Sequence, residues 1–498
     1  MTATVGSAPP GTWDTPELLP PEQLVDGAWS SPDPAGGVRL SDPITEESLQ
    51  PRVATSLAGV RRAVAAAWRD HRRDPGGIGT PAQRRAALLG AADRLDALAE
   101  DVAAQDTLTS GVPIAVTRLF AGSLGATLRS AAGRVGALEP EDLGTDGRSV
   151  LLHRLPLGPA AVIAPWNAPT AVAAKKTAYA WAAGCPVIIK PSPWAPSGTV
   201  LLVRALHDAA RSAGLQPAAV QLVFGDAAVG GALVSDPRVR AVSFTGSRAA
   251  GRAVAAAAAG GLAATQLELG SNNPAVVLAD ADLRETAGHL ARGMTKLNGA
   301  WCESPGTVFV PRHLRGRLVD ELVEQLSAER MGHPLDPDVT FGPQSNPAQW
   351  SGLRRQVARL QKSGARIVEV GSPPLPGRWI VPTLAIEPSP ASARAEVFGP
   401  VLVVRGYDDV EDAVGEAHAL ETGLAAYVFS ASPAAAHDVG RRLPAGEVKI
   451  NGTSLLDLSD RSAQTFWYGC GVGGHGDDDL LRFFTGARIV GQDVDSPL

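Results

Sequence analysis

The chain has 498 residues, 45% hydrophobic and 19% charged, with a formal net charge of -6. Against a usual domain of ~150 residues that is about three domain-sized units with room for large cores, which excludes a peptide-like scaffold. The mildly acidic balance leaves no basic surface suited to nucleic acid, and Gly 54 and Pro 40 are spread through the chain as in a soluble globular protein.

Along the chain, residues 1–20 carry Gly and Pro breakers without apolar periodicity and read as a loose, flexible arm. The first 38 residues hold no Lys or Arg, so the charged start of a secretory signal is missing. Thr80-Pro81-Ala82-Gln83 has the form of a capping box with proline at the first helical position. Leu88, Ala91, Leu95, Leu98 and Val102 then repeat at helical spacing, which predicts one amphipathic helix.

From residue 160 the pattern changes to short apolar runs alternating with helical stretches, the signature of a parallel sheet with crossover helices. Strands are expected at 160–164, 186–190, 220–224 and 240–244, with helices around 170–183, 197–213 and 227–235 stopped by Gly184 and Gly214. This is a Rossmann-type unit. Residues 268 to about 450 again mix strands and helices and predict a second α/β domain, and GARIVGQ near the end reads as strand.

Cys185 starts an apolar strand and reads as a core residue, and Cys470, in a Gly-rich stretch, reads as an exposed thiol without activation. Three cysteines this far apart make neither a disulfide framework nor a close-spaced zinc site, no metal ligand set is evident, and no apolar run reaches the ~18 residues of a membrane span. A cytoplasmic protein without nucleic-acid or membrane partners is therefore expected.

Cys302 lies in a Gly/Pro-marked turn after the helical run ETAGHLARGMTKL, a setting for either a structural thiol or a nucleophile; adjacent Glu303 opposes the thiolate unless it points away. Glu268, between Leu267 and Leu269, is costly to ionise, which fits a general base and a structural ion pair about equally. The run Phe244-Thr245-Gly246-Ser247, with Gly251, follows a strand and opens a helix, aiming backbone N–H groups at a phosphate or forming an ordinary turn. Lys190, at a strand's carboxyl end before Pro191-Ser192, stands where such sheets bind ligands, in a chain with only six lysines.

These segments together resemble the aldehyde dehydrogenase superfamily from about residue 25 onward. The motifs occur in the family's order: Pro165-Trp166-Asn167, Lys190-Pro191-Ser192, Phe244-Thr245-Gly246-Ser247, Leu267-Glu268-Leu269-Gly270, Cys302 and Glu396-Val397-Phe398-Gly399-Pro400. The resemblance implies an α/β fold: a Rossmann-type NAD(P)-binding domain (21–140 and 159–267), a catalytic domain (268–450) and a small β oligomerisation element (141–158 and 451–498). It also implies an NAD- or NADP-dependent oxidation in which Cys302 attacks the aldehyde, Asn167 holds the oxyanion, Glu268 activates the water that hydrolyses the thioester, and Lys176 sits near this machinery. Trp166, Lys190, Ser192, Gly246, Ser247, Glu396 and Phe398 would hold the cofactor.

Several positions depart from the family pattern. Pro193 stands where many NAD-using members have a glutamate, while nearby Asp226 offers a carboxylate, so the choice of coenzyme stays open. Ala168 and Lys175 replace larger apolar residues and, with Trp301, describe a substrate channel for a bulky or anionic aldehyde. The stretch Cys470-Gly471-Val472-Gly473-Gly474-His475 is an eroded form of a family motif. A homodimer or homotetramer is expected. The competing readings are a CoA-acylating dehydrogenase, which usually lacks the glutamate base, and a non-catalytic relative used for binding or assembly.

Overall fold

A computed structural model describes residues 16–493 apart from 37–38, 75, 145–146, 456–457 and 460–461. Most of the expected N-terminal arm lies outside the described residues. Its last part is tied down: Gln105 donates to the carbonyl of Glu17 and accepts from the N–H of Leu19, both at 3.0 Å.

Five parallel strands form the centre of the first sheet, in the spatial order Val220–Leu222, Val187–Lys190, Ala160–Ile163, Ala241–Gly246, Ala264–Leu269. Helices Pro169–Ala183, Ser197–Ser212, Ala227–Val234 and Arg248–Ala259 make the crossovers. The chain moves outward on one side of Ala160–Ile163 and then restarts on its other side. That reversal is a topological switch point, and ligands of such sheets bind in the crevice outside the carboxyl ends there. The two strands flanking it deliver Pro165-Trp166-Asn167 and Ser247.

Both faces of this sheet are buried, as parallel sheets require. Alternation divides neighbours on one strand between two cores: Val187 and Ile189 join Leu88, Leu128, Tyr179, Trp181 and Leu202, whereas Ile188 packs with Val60, Val64, Leu233 and Phe244. Antiparallel edge strands close both sides, Gln23–Val25 with Ala28–Ser30 at one end and Gly471–Val472 at the other.

The second sheet has seven strands in the order Arg366–Glu369, Thr383–Ile386, Val401–Tyr407, Pro305–Pro311, Asn273–Val277, Ala425–Phe429, Glu447–Ile450, all parallel except the first. A small third sheet joins Glu141–Asp142, Val150–Pro156 and Thr485–Gly491.

Every strand expected between 160 and 244 is present within one to two residues at its ends, and Thr80 forms the full capping box on helix Pro81–Ala97. One expectation needs correction. The helical repeat through Val102 is two helices, because Leu98 leaves helical geometry (ψ 6°) and Glu100 and Asp101 supply acidic groups to a fresh N-terminus at Ala99–Ser110. Among the described residues, no helix is long and apolar enough to cross a membrane.

Candidate active site

The two sheets meet at Cys302. Helix Leu283–Thr295 ends, and Leu297, Asn298 and Gly299 follow with φ of 52°, 57° and 81°. Three successive left-handed residues reverse the chain tightly. Glycine is required at 299, where a Cβ would lie 2.0 Å from the nitrogen of Pro400. Buried Asn298 stabilises the reversal by donating to the carbonyls of Gly111 and Pro343 and accepting from the N–H of Gly342. Beyond the turn, Asn273 donates to the carbonyls of Cys302 (2.9 Å) and Ser304 (2.8 Å), pinning the thiol-bearing segment to the head of its neighbouring strand.

Cys302 is half-buried, and its Sγ–H faces Oε1 of Glu268 at 3.6 Å. Burial pushes the thiol well above its ordinary value, and the carboxylates of Glu268 and Glu303 add to the effect. The resting group is therefore a thiol, and Glu268 is a carboxylate in contact with it. Glu268 is 9% exposed on strand Ala264–Leu269, and its Oε2 has the ammonium of Lys176 at 3.6 Å. Burial lowers the affinity of Lys176 for its proton, while the Glu268 carboxylate acts the other way.

Asn167 donates one amide proton to the carbonyl of Ala300 at 2.6 Å, which holds its side chain beside the cysteine loop. An amide nitrogen carries a second proton for another acceptor. On the other side of the thiol, Glu303 is held near Lys449 (3.8 Å) and Gln464 (3.4 Å), and burial raises its pKa to about 7. Trp301 is 5% exposed, packs with Val112, Leu297, Val116, Phe120 and Cys302, and has the ammonium of Lys296 4.2 Å from its ring centre.

Lys175 meets the C-terminal part of the chain. Its Nζ lies 3.3 Å from Nε2 of His475 and 4.0 Å from Asp477. Ala168 is the residue before helix Pro169–Ala183 and adds only a methyl group there. Cys185 is fully buried, as expected, but so is Cys470, which the sequence placed at the surface; its thiol donates to the carbonyl of Trp467 and packs with Leu424, Phe466 and Cys302.

The candidate cofactor residues line the switch-point side. Lys190 is 5% exposed, donates to the carbonyls of Gly225 (2.8 Å) and Pro191 (3.1 Å), and is lowered to about 8 by burial. Ser192 accepts from the N–H of Trp194. Ser247 caps helix Arg248–Ala259, leaving that helix's first N–H groups at the strand end, and Gly246 leaves room for the ring of Phe244. Glu396 accepts from the N–H of Ser271 at 3.0 Å, and a Cβ on Gly270 would lie 2.0 Å from its Oε2. Burial raises its pKa to about 7. Trp166 and Phe398 meet edge-to-face with ring centres 6.0 Å apart. Asp226 is exposed and caps helix Ala227–Val234 through Ala228.

Sequence reasoning missed Asn273 and His475. A buried asparagine heading an apolar strand was a signal for the first; a histidine inside a glycine run was one for the second. Neither signal says what the side chain meets.

A sequence profile described as "Aldehyde dehydrogenase family" matches residues 29–490. A betaine aldehyde dehydrogenase of Cereibacter sphaeroides is 34% identical over 87% of this chain and 90% of that protein. A geranial dehydrogenase of Castellaniella defragrans is 35% identical over 86% and 90%. The crystal structure of an NAD-dependent aldehyde dehydrogenase from Sinorhizobium meliloti superposes with a TM-score of 0.87 at 30% identity, covering 96% of this chain and 95% of that one.

Proposed function

The chain belongs to the aldehyde dehydrogenase family and is an NAD(P)-dependent enzyme that oxidises aldehydes to carboxylic acids; within that reaction we propose that Cys302 is the nucleophile, Glu268 the general base and Asn167 an oxyanion donor. The observation that carries the assignment is the 3.6 Å approach of the Cys302 thiol to the Glu268 carboxylate.

Glu268 accepts the thiol proton as sulfur attacks the aldehyde carbon, forming a thiohemiacetal. The free amide proton of Asn167 stabilises the developing alkoxide, a contribution typically worth ~10²–10³ in rate. A nicotinamide dinucleotide held by Trp166, Lys190, Ser247, Glu396 and Phe398 would supply the hydride acceptor for the oxidation. After releasing the thiol proton to solvent, Glu268 draws a proton from the water that cleaves the resulting thioester and returns it to the departing sulfur, while Lys176 provides the counter-charge at Oε2.

The residues present fit the dinucleotide. The switch-point crevice, the helix N-terminus behind Ser247 and the buried ammonium of Lys190 suit a pyrophosphate and ribose, and Trp166, Glu396 and Phe398 suit the nicotinamide end. These residues, with Ser192 and Gly246, are proposed to hold it.

For the substrate we favour a bulky aldehyde over an anionic one. Lys175 is engaged by His475 and Asp477, whereas the wall beside the thiol is apolar, built from Val112, Val116, Phe120, Trp301 and Phe466. The small sheet ending in Thr485–Gly491, where Ile489 and Val490 are 66% and 54% exposed, supports assembly into a homodimer or homotetramer. Three free cysteines support a reducing, cytoplasmic setting.

The test is a panel of aldehydes graded by size and charge, with NAD and NADP in parallel, following the absorbance of reduced coenzyme. Oxidation of bulky neutral aldehydes that is lost in Cys302→Ala is expected. Turnover that survives Cys302→Ala overturns the assignment.

A further inference from the structure

The edge strand Gly471–Val472 pairs antiparallel with Leu267 and Glu268, so a segment from far along the chain lies against the strand that carries the base. Close packing demands glycine here: a Cβ on Gly471 would lie 2.1 Å from the carbonyl oxygen of Leu267, and Gly473 has a φ of 88°. Gln266 fixes the next turn by donating to the carbonyl of Gly474 at 2.7 Å. His475 then places Nδ1 3.8 Å from Oε2 of Glu268 and Nε2 3.3 Å from Nζ of Lys175.

An ammonium can only donate, so Nε2 is the acceptor in this contact and the ring proton of a neutral imidazole resides on Nδ1. His475 is neutral: burial, then the charges of Lys175 and Lys176, push it well below its ordinary value. The Nδ1–H therefore faces Oε2. At 3.8 Å the contact is longer than a hydrogen bond, as contacts within unliganded sites often are. Lys176 faces the same oxygen at 3.6 Å, leaving Oε1 toward the thiol.

We propose that His475 is a positioning residue whose Nδ1–H, fixed in that tautomer by Lys175, holds one oxygen of Glu268 so that the other stays directed at Cys302 and the attacking water. The proposal rests on the assignment of Glu268 as general base.

The test is a double-variant cycle on the purified enzyme, with hexanal as probe and NAD or NADP at saturation. His475→Ala should lower kcat about 10-fold, with little change in KM. In a Glu268→Gln background the same change should cost less than about 2-fold, because there is no carboxylate left to orient. His475→Asn, whose amide N–H takes the place of Nδ1–H, should recover kcat to within about 3-fold of wild type. Lys175→Met, which releases the tautomer, should lower kcat in the same direction. Equal losses in both backgrounds, an asparagine variant no better than alanine, or a Lys175→Met enzyme with wild-type kcat would overturn the proposal. Should His475→Ala not fold, the Asn and Lys175→Met arms decide it. Full activity in Glu268→Gln itself overturns the parent assignment instead, a separable result.

Discussion

Cys302 lies in the turn that leads into a strand of the second sheet and Glu268 on a strand of the first, yet the thiol of one lies 3.6 Å from a carboxylate oxygen of the other. With the thiol held protonated by its surroundings, the attack proposed for Cys302 would draw on this pair rather than on a stored thiolate.

Replacing Glu268 by Gln should therefore reduce kcat by ~10²–10⁴, the usual range for a positioned base. The single-turnover burst of reduced coenzyme, which follows thiol attack, should slow as well, and stopped-flow absorbance reads it. A wild-type burst rate in that variant would contradict Glu268 as the group that takes the thiol proton.

Asn167→Ala should cost ~10²–10³ in kcat with a small change in KM, since the amide acts on charge that develops only in the transition state. Steady-state kinetics over a range of aldehyde concentrations separates the two parameters.

Glu303 raises the barrier to ionising Cys302, and its own pKa is about 7. As pH rises through that value Glu303 gains its charge and opposes the thiolate, so removing the charge should help most above it. Glu303→Gln should speed alkylation of Cys302 by iodoacetamide roughly 3- to 10-fold at pH 8 and far less at pH 6. Time-resolved mass spectrometry of the labelled peptide gives the rates.

Asp106 is buried and accepts a hydrogen bond from Thr170, and burial raises its pKa from 3.8 to about 7. The native state thus favours its protonated form, a contribution complete below pH 4 and lost as pH climbs through 7. Wild-type protein should lose up to ~4 kcal/mol of stability across that interval relative to Asp106→Asn, which stays neutral. Thermal unfolding of both proteins from pH 4 to pH 8 measures the difference.

Much of this architecture is legible in the sequence because it is periodic. Runs such as 186–190 and 220–224, short, apolar and set between helical stretches, suit strands in a sheet covered on both faces, and Thr80 with Gln83 announces its helix unaided. The break at Leu98 escapes such reading, since alanine and leucine satisfy one helix as well as two. Cys302, Glu268 and Asn167 are found through their motifs. Asn273, Asn298 and His475 act through partners distant in sequence, and no local pattern encodes those meetings. Cys470 misled for the opposite reason: glycine neighbours imply exposure, but here they allow other backbone to cover the thiol.

The pairing of Gly471 with Glu268 also bears on how the molecule matures. During synthesis the carboxylate and its lysine are made long before the strand that walls them in. Until Gly471–Val472 pairs, the first sheet lacks its last edge strand, and Leu480, Leu481 and Phe484, which follow it, are still missing from the core. Reactivity is thus deferred until the closing strand has docked.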